Sequence, residues 1–242
     1  MTVVAGATAE RRANPFGFHS VRAVILDVDG TLVDSNDAHA RAWVEAFRES
    51  GVTVDLELVR RAIGMGGDKL LPAVAGLDEE SEPGSTISAR RGEIFKEKYL
   101  PAIAAFPRVR DLAERLRQDG FRLTVASSAK DDELEPLLER AQVTDLIAAR
   151  TSSDDAERSK PDPDIVKAAL DEVHCDPADS LMLGHTPYDI EAARRAGVAI
   201  VALQSGGWQA AELAGAVEVY KDVEELLARY DSSAFARGCC RG

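Results

Sequence analysis

The sequence predicts an α/β fold: a parallel sheet core with helices on both faces, plus a small α-helical cap domain. Three observations carry this. After Pro107, short apolar runs alternate with helical stretches, and such alternation builds a parallel sheet covered on both sides. Residues 36–106 read as helix and loop almost throughout, with no convincing strand. That helical block interrupts the alternation just after the first strand, which marks it as an insertion. The expected organisation is a flexible arm over 1–20, a core over 21–35 and 107–230, a cap over 36–106, and a flexible tail over 231–242.

Each element has its own signal. Ala23–Leu26 is a short apolar, β-branched run and reads as a buried strand. From Asn36, the residues Ala38, Ala42, Trp43, Ala46 and Phe47 recur at helical spacing. A second helix starts near Asp55 and stops before the glycines of 64–67. A third runs from about Ser88 to Tyr99. In the core, Val109–Gln118 is a helix closed by Gly120, and Leu123–Ala126 a strand. Lys130–Ala141 is a helix and Leu146–Ala149 a short strand. Pro163–Val173 is a helix with Asp162 as its cap and Pro163 at its first position. Ser180–Leu183 is a strand, Pro187–Ala196 a helix, Ala199–Leu203 a strand, and Val223–Tyr230 a last helix. The result is a Rossmann-like core.

Bulk numbers narrow the function. The 242 residues are 45% hydrophobic and 29% charged, enough for a core domain plus a smaller one. Net charge is −13. Nucleic acid and anionic membranes need a basic face, so neither is an expected partner. An anionic substrate would need local cations or a metal. The cysteines, Cys175, Cys239 and Cys240, form neither a disulfide framework nor a metal spacing. Residues 1–9 are mildly apolar, but Arg11 and Arg12 follow them, the reverse of a signal peptide. No run approaches membrane-spanning length. The expectation is a cytoplasmic protein, monomeric or weakly dimeric.

Four short motifs carry chemistry. In VILDVDGTLVDS (24–35), the strand ends in Asp27 and Asp29. Alternate residues of a strand share a face, so both acids can point at one ligand. One carboxylate can attack as a nucleophile and the other can shuttle a proton. Gly30 permits the turn that brings backbone amides close to a substrate, and Thr31 follows it. A calcium loop also opens Asp-x-Asp, but it lies between helices and needs further acids; a plain Asp-Gly turn is the other alternative. In VASSAKDDE (125–133), Ser128 and Asp131 have capping-box spacing, while Ser127, Ser128 and the amides beyond them could hold a phosphate. In SKPDPD (159–164), Lys160 precedes a proline and is held extended. In LMLGHTPYDIEAA (181–193), a strand ends at Gly184 and His185, and Thr186, Pro187 and Asp189 make a helix start.

In that order, with a helical insert after the first strand, these motifs resemble the haloacid dehalogenase-like superfamily over roughly residues 21–230. The resemblance implies roles. Asp27 would be the nucleophile, forming an aspartyl-phosphate, and Asp29 the general acid and base. Ser127 would hydrogen-bond the phosphoryl group, and Lys160 would offset its charge. Mg²⁺ would sit between Asp27, the backbone carbonyl of Asp29 and an acid of the last motif, because a dianion approaches carboxylates only when a cation screens it.

The chain departs from the family at His185, where an aspartate metal ligand is usual. Mg²⁺ takes oxygen ligands, whereas imidazole suits Zn, Co or Ni. Asp189, one helical turn on, could hold a metal directly or through water. The departure leaves a weakened Mg²⁺ enzyme, an enzyme of another divalent metal, or a silent phosphate-binding relative. In the cap, the loop IGMGGDKLL (63–71) is expected to face the active site, with Lys69 reaching a substrate's remote anion. His39 lies at the spacing of hinge helices in sugar-phosphate mutases and phosphatases. The β-phosphoglucomutases carry an arginine near the place of Gly67, so its absence favours a hydrolase over a phosphomutase. A cap closing over the site implies a small phosphorylated metabolite.

Overall fold

A computed structural model of the chain describes residues 21–239. The expected arm over 1–20 lies outside the described residues, as does Cys240. Strand β1 (Ala23–Leu26) is fully buried. It is followed by four helices: α1 (Asn36–Glu49), α2 (Leu56–Ala62), α3 (Gly67–Ala75) and α4 (Glu82–Ile94). The core resumes with α5 (Val109–Gln118), β2 (Arg122–Ala126), α6 (Asp131–Ala141), β3 (Ile147–Thr151) and α7 (Asp164–Glu172). It closes with β4 (Ser180–Gly184), α8 (Pro187–Ala196), β5 (Ala199–Leu203), β6 (Glu218–Tyr220), α9 (Val223–Ala228) and α10 (Ala234–Gly238).

The strands form one sheet in the order β3-β2-β1-β4-β5-β6, and every neighbouring pair is parallel. Side chains alternate across it. Val24 and Leu26 join the core on one face, while Ala23 and Ile25 join the core on the other. The chain runs outward from β1 in both directions, so the sheet has its switch point there, the place where open α/β sheets bind ligands. Leu26 pairs with Val125 of β2 and with Leu183 of β4. The three strands therefore end level and deliver Asp27, Ser127 and His185 to one edge.

Several boundaries differ from expectation for physical reasons. The helix expected from about Ser88 is α4, which starts at Glu82, with Ser81 capping it through the amide of Gly84 at 3.3 Å. A proline and a glycine mask this start, yet Pro83 sits in the first turn, where its missing N–H costs nothing. A Cβ on Gly84 would lie 1.9 Å from the carbonyl oxygen of Asp78, so the helix start needs glycine to close on the loop before it. The second half of the 63–71 segment is helix α3, not loop. Helix α7 is capped by Pro163, not by Asp162, because the Asp162 carboxylate pairs with Lys69 and Arg195, each at 2.9 Å. Ser128 does not cap α6, which begins after Lys130; its hydroxyl donates to the Gly64 carbonyl at 3.1 Å. The last expected helix ends at Ala228, and a 3₁₀ turn follows over Tyr230–Ser232. The segment expected as a flexible tail from 231 contains α10, with Ala234 and Phe235 fully buried. The Val21 amide donates to the Gly238 carbonyl at 2.9 Å, tying that end to the start of the core.

Candidate active site

Asp27 leaves the end of β1 almost wholly buried. The turn beyond it is set by Gly30, whose φ of +70° suits glycine. That turn brings the Thr31 hydroxyl back to donate to Asp27 Oδ2 at 2.7 Å. Lys160 Nζ reaches Asp27 Oδ1 at 2.7 Å and Asp189 Oδ1 at 2.8 Å, and is fully buried between them. His185 Nδ1 lies 3.0 Å from Asp27 Oδ2. Burial pushes the Asp27 carboxyl up, but the Lys160 charge and the hydrogen bond and charge of His185 outweigh it, leaving it below its ordinary value. Burial likewise pulls the Lys160 ammonium down, and the charges of Asp189 and Asp27 carry it above its ordinary value.

Asp29 sits two residues on, at the entrance to the cap. His39 Nε2 is 2.8 Å from its Oδ1, and the Ser35 hydroxyl donates to the same oxygen. Burial raises its pKa, but the His39 charge and hydrogen bond and the Ser35 hydroxyl bring it down to about 2. His39, a candidate substrate contact, is thus bound first to Asp29, with its ring stacked on Phe95 at 3.9 Å between centroids. It still lines the cavity above the carboxylates.

Asp189 belongs to a capping box with Thr186 at the start of α8. Its Oδ2 accepts from the amides of His185 and Thr186 at 3.1 and 2.9 Å and from the Thr186 hydroxyl at 2.8 Å. The Ser127 hydroxyl accepts from the Ala129 amide at 3.1 Å and is buried at the same sheet edge. Lys69 does not line the cavity; it is held by Asp162 and, at 3.5 Å, by Asp68. Its expected reach towards a substrate anion is therefore corrected.

The cavity over Asp27 and Asp29 measures about 40 Å³, room for a few waters only. A polar cavity of about 250 Å³ adjoins it and shares Gly66, Gly67, Arg91 and Ser128. The helical block 36–106 is tied to the rest of the chain here: Gly66 donates its amide to the Ser159 hydroxyl at 2.9 Å, and Tyr188 donates its hydroxyl to the Arg61 carbonyl at 2.9 Å. A buried ion pair also crosses the boundary, Arg91 of α4 with Glu133 of α6, at 2.8 Å. Sequence reasoning missed this pair. The residues are 42 apart, and each reads as one more polar position on a helix. Asn36, whose Nδ2 lies 3.1 Å from His185 Nε2, was missed for a similar reason, as an ordinary helix-start residue.

Asp27, His185 and Asp189 offer ligand atoms within 4.8 Å of one another and could face one metal ion. The fit to Mg²⁺ is poor. One of the three groups presents nitrogen where Mg²⁺ takes oxygen. Asp189 Oδ2 already accepts three hydrogen bonds, and both oxygens of Asp27 are engaged.

Residues 24–203 match the model of the haloacid dehalogenase-like hydrolases. The chain belongs to that family. Its members generally use a divalent metal ion. The chain is 31% identical over 182 residues to a phosphoglycolate phosphatase of Nitrosospira multiformis, covering 73% of this chain and 80% of the relative. Among solved structures, a hydrolase from Pseudomonas syringae superposes with a TM-score of 0.81 at 29% identity, over 88% of this chain and 98% of the other. CbbY of Rhodobacter sphaeroides, solved as a mutant in complex with xylulose-(1,5)bisphosphate, superposes at 0.70 with 25% identity, over 85% and 96%. Among the described residues, no helix is long and apolar enough to cross a membrane.

Proposed function

We propose that this hydrolase is a phosphatase acting on a small phosphorylated metabolite, of sugar-phosphate or phosphoglycolate type, through an aspartyl-phosphate on Asp27. The observation that carries this reading is the buried Asp27 at the switch point, held by Lys160 at 2.7 Å and flanked by Asp29 at the cap entrance. The relatives named phosphoglycolate phosphatase support the substrate class.

An oxygen of Asp27 attacks phosphorus, and the ester P–O bond breaks. The leaving oxygen takes a proton from the Asp29–His39 pair, whose Nε2 and Oδ1 are 2.8 Å apart. Water then attacks phosphorus, Asp29 accepts its proton, and inorganic phosphate leaves Asp27 free. Ser127, Ser128 and the backbone beyond Gly30 and Thr31 line the edge where the phosphoryl oxygens would lie. Family members generally draw on a divalent ion to screen the incoming dianion. The positive and donor groups this chain itself provides beside Asp27 are Lys160 and His185.

The closed cap favours a compact substrate that enters as the cap opens and leaves a phosphorylated protein outside. The free thiol at Cys175 fits a cytoplasmic location, and the few exposed large apolar side chains among the described residues (Leu56, Leu58 and Val217) fit a monomer or weak homodimer. The test is a panel of 2-phosphoglycolate, sugar phosphates and a phosphopeptide. Release of inorganic phosphate from the small esters, with none from the peptide, is expected; release from no small ester overturns the reading.

A further inference from the structure

His185 occupies its position tightly. A Cβ on Gly206 would lie 1.8 Å from its Cδ2, and a Cβ on Gly30 would lie 2.4 Å from its Nε2. The ring therefore lies between two backbones that approach only because both residues are glycine. On its far side Asn36 Nδ2 stands 3.1 Å from Nε2 and donates to the Gly206 carbonyl at 3.3 Å. On its near side Nδ1 faces only oxygens: Asp27 Oδ2 at 3.0 Å, Thr31 Oγ1 at 3.2 Å and Asp189 Oδ2 at 3.6 Å. The ring thus presents nitrogen, not oxygen, at the point where Asp27 and Asp189 converge.

Mg²⁺ needs near-octahedral oxygen ligands at about 2.0–2.1 Å and gives up its waters reluctantly. Binding here would require His185 to swing aside, which Gly30, Asn36 and Gly206 oppose, and Lys160 to release Asp189 Oδ1, which it holds at 2.8 Å. We propose that this site does not take Mg²⁺, and that the imidazole of His185 stands where the ion would, holding Asp27 Oδ2 while Lys160 holds Oδ1. The consequence for turnover rests on the phosphatase reading: phosphate release should persist in the presence of a chelator.

The test separates the two claims by measuring binding directly. Chelator-stripped wild type, His185→Asp and His185→Asn are titrated with Mg²⁺ by calorimetry, and their melting temperatures are followed with and without the ion. His185→Asn supplies an oxygen without adding a third carboxylate, should His185→Asp fold poorly. The expected result is no binding heat and no melting shift for wild type at millimolar Mg²⁺, with a saturable heat and an upward shift once an oxygen ligand replaces the ring. Mg²⁺ binding by wild type overturns the proposal, as does its absence from both folded variants. Zn²⁺ or Co²⁺ binding that is lost in His185→Asn also overturns it, since the ring would then be a ligand and not a replacement. If no enzyme form turns over any ester, with or without metal, the phosphatase reading falls while the Mg²⁺ result is read independently.

Discussion

A Cβ on Gly206 would collide with the His185 ring, and the two residues are therefore coupled although they lie in different loops. Gly206→Ala is expected to cost about 1–3 kcal/mol in wild type, the usual penalty for overpacking a filled site. In a His185→Ala background most of that cost should vanish, and denaturant unfolding of the four proteins of the cycle checks it. Additive losses would contradict the packing described. Asp29 gives a second prediction. Its carboxyl is held at about 2, below its ordinary 3.8. As pH falls, the unfolded chain takes up the proton first, so the unfolded state gains. Asp29 thus contributes about 2 kcal/mol of stability above pH 4, lost as pH falls towards 2. The stability of Asp29→Asn should fall less steeply than that of wild type across that window, measured by denaturant unfolding at each pH.

Helices α4 and α6 meet through Arg91 and Glu133, a pair buried at the boundary of cap and core, with the guanidinium also lying 5.1 Å over the Trp43 ring. Breaking such a pair from one side leaves an uncompensated buried charge, at a cost of about 3–5 kcal/mol. Glu133→Ala should lower the melting temperature accordingly, and the double variant Arg91→Met with Glu133→Leu should recover much of the loss. An unchanged melting temperature in Glu133→Ala would show that the cap does not depend on this contact. At this scale much of the fold was legible from pattern. Strands β1, β2, β4 and β5 and helices α1, α5, α6 and α8 follow from apolar runs, helical spacing and caps. Two of the missed elements are short, and short elements give too few residues for a period. Strand β6 has three residues, and α10 has five; α10 is held because Phe235 finds the core, a tertiary fact that no local pattern records. Helix α3 was hidden by glycines at its start, where Gly66 caps it.

Across the whole molecule, one sheet edge gathers residues far apart in the chain, Asp27 and His185 being separated by 158 positions. The gathering was legible in advance because strand ends are legible, and the level register of β1, β2 and β4 turns four short motifs into one site. The partners of the gathered groups were less so. That His39 would settle on Asp29, Lys69 on Asp162, and Ser128 on the Gly64 carbonyl depends on how the helices of 36–106 pack on the sheet edge, and that packing leaves no trace in local spacing. On the phosphatase reading, the helices over the site are expected to shift when a phosphate ester reaches Asp27, since the cavity there, about 40 Å³, has room for a few waters only. The central claim is that Asp27 is the nucleophile. Its most direct test is phosphate release from p-nitrophenyl phosphate by wild type and Asp27→Asn, both shown to be folded by their melting curves. The account predicts a loss on the order of 10³-fold or more for Asp27→Asn; turnover close to wild type would contradict it.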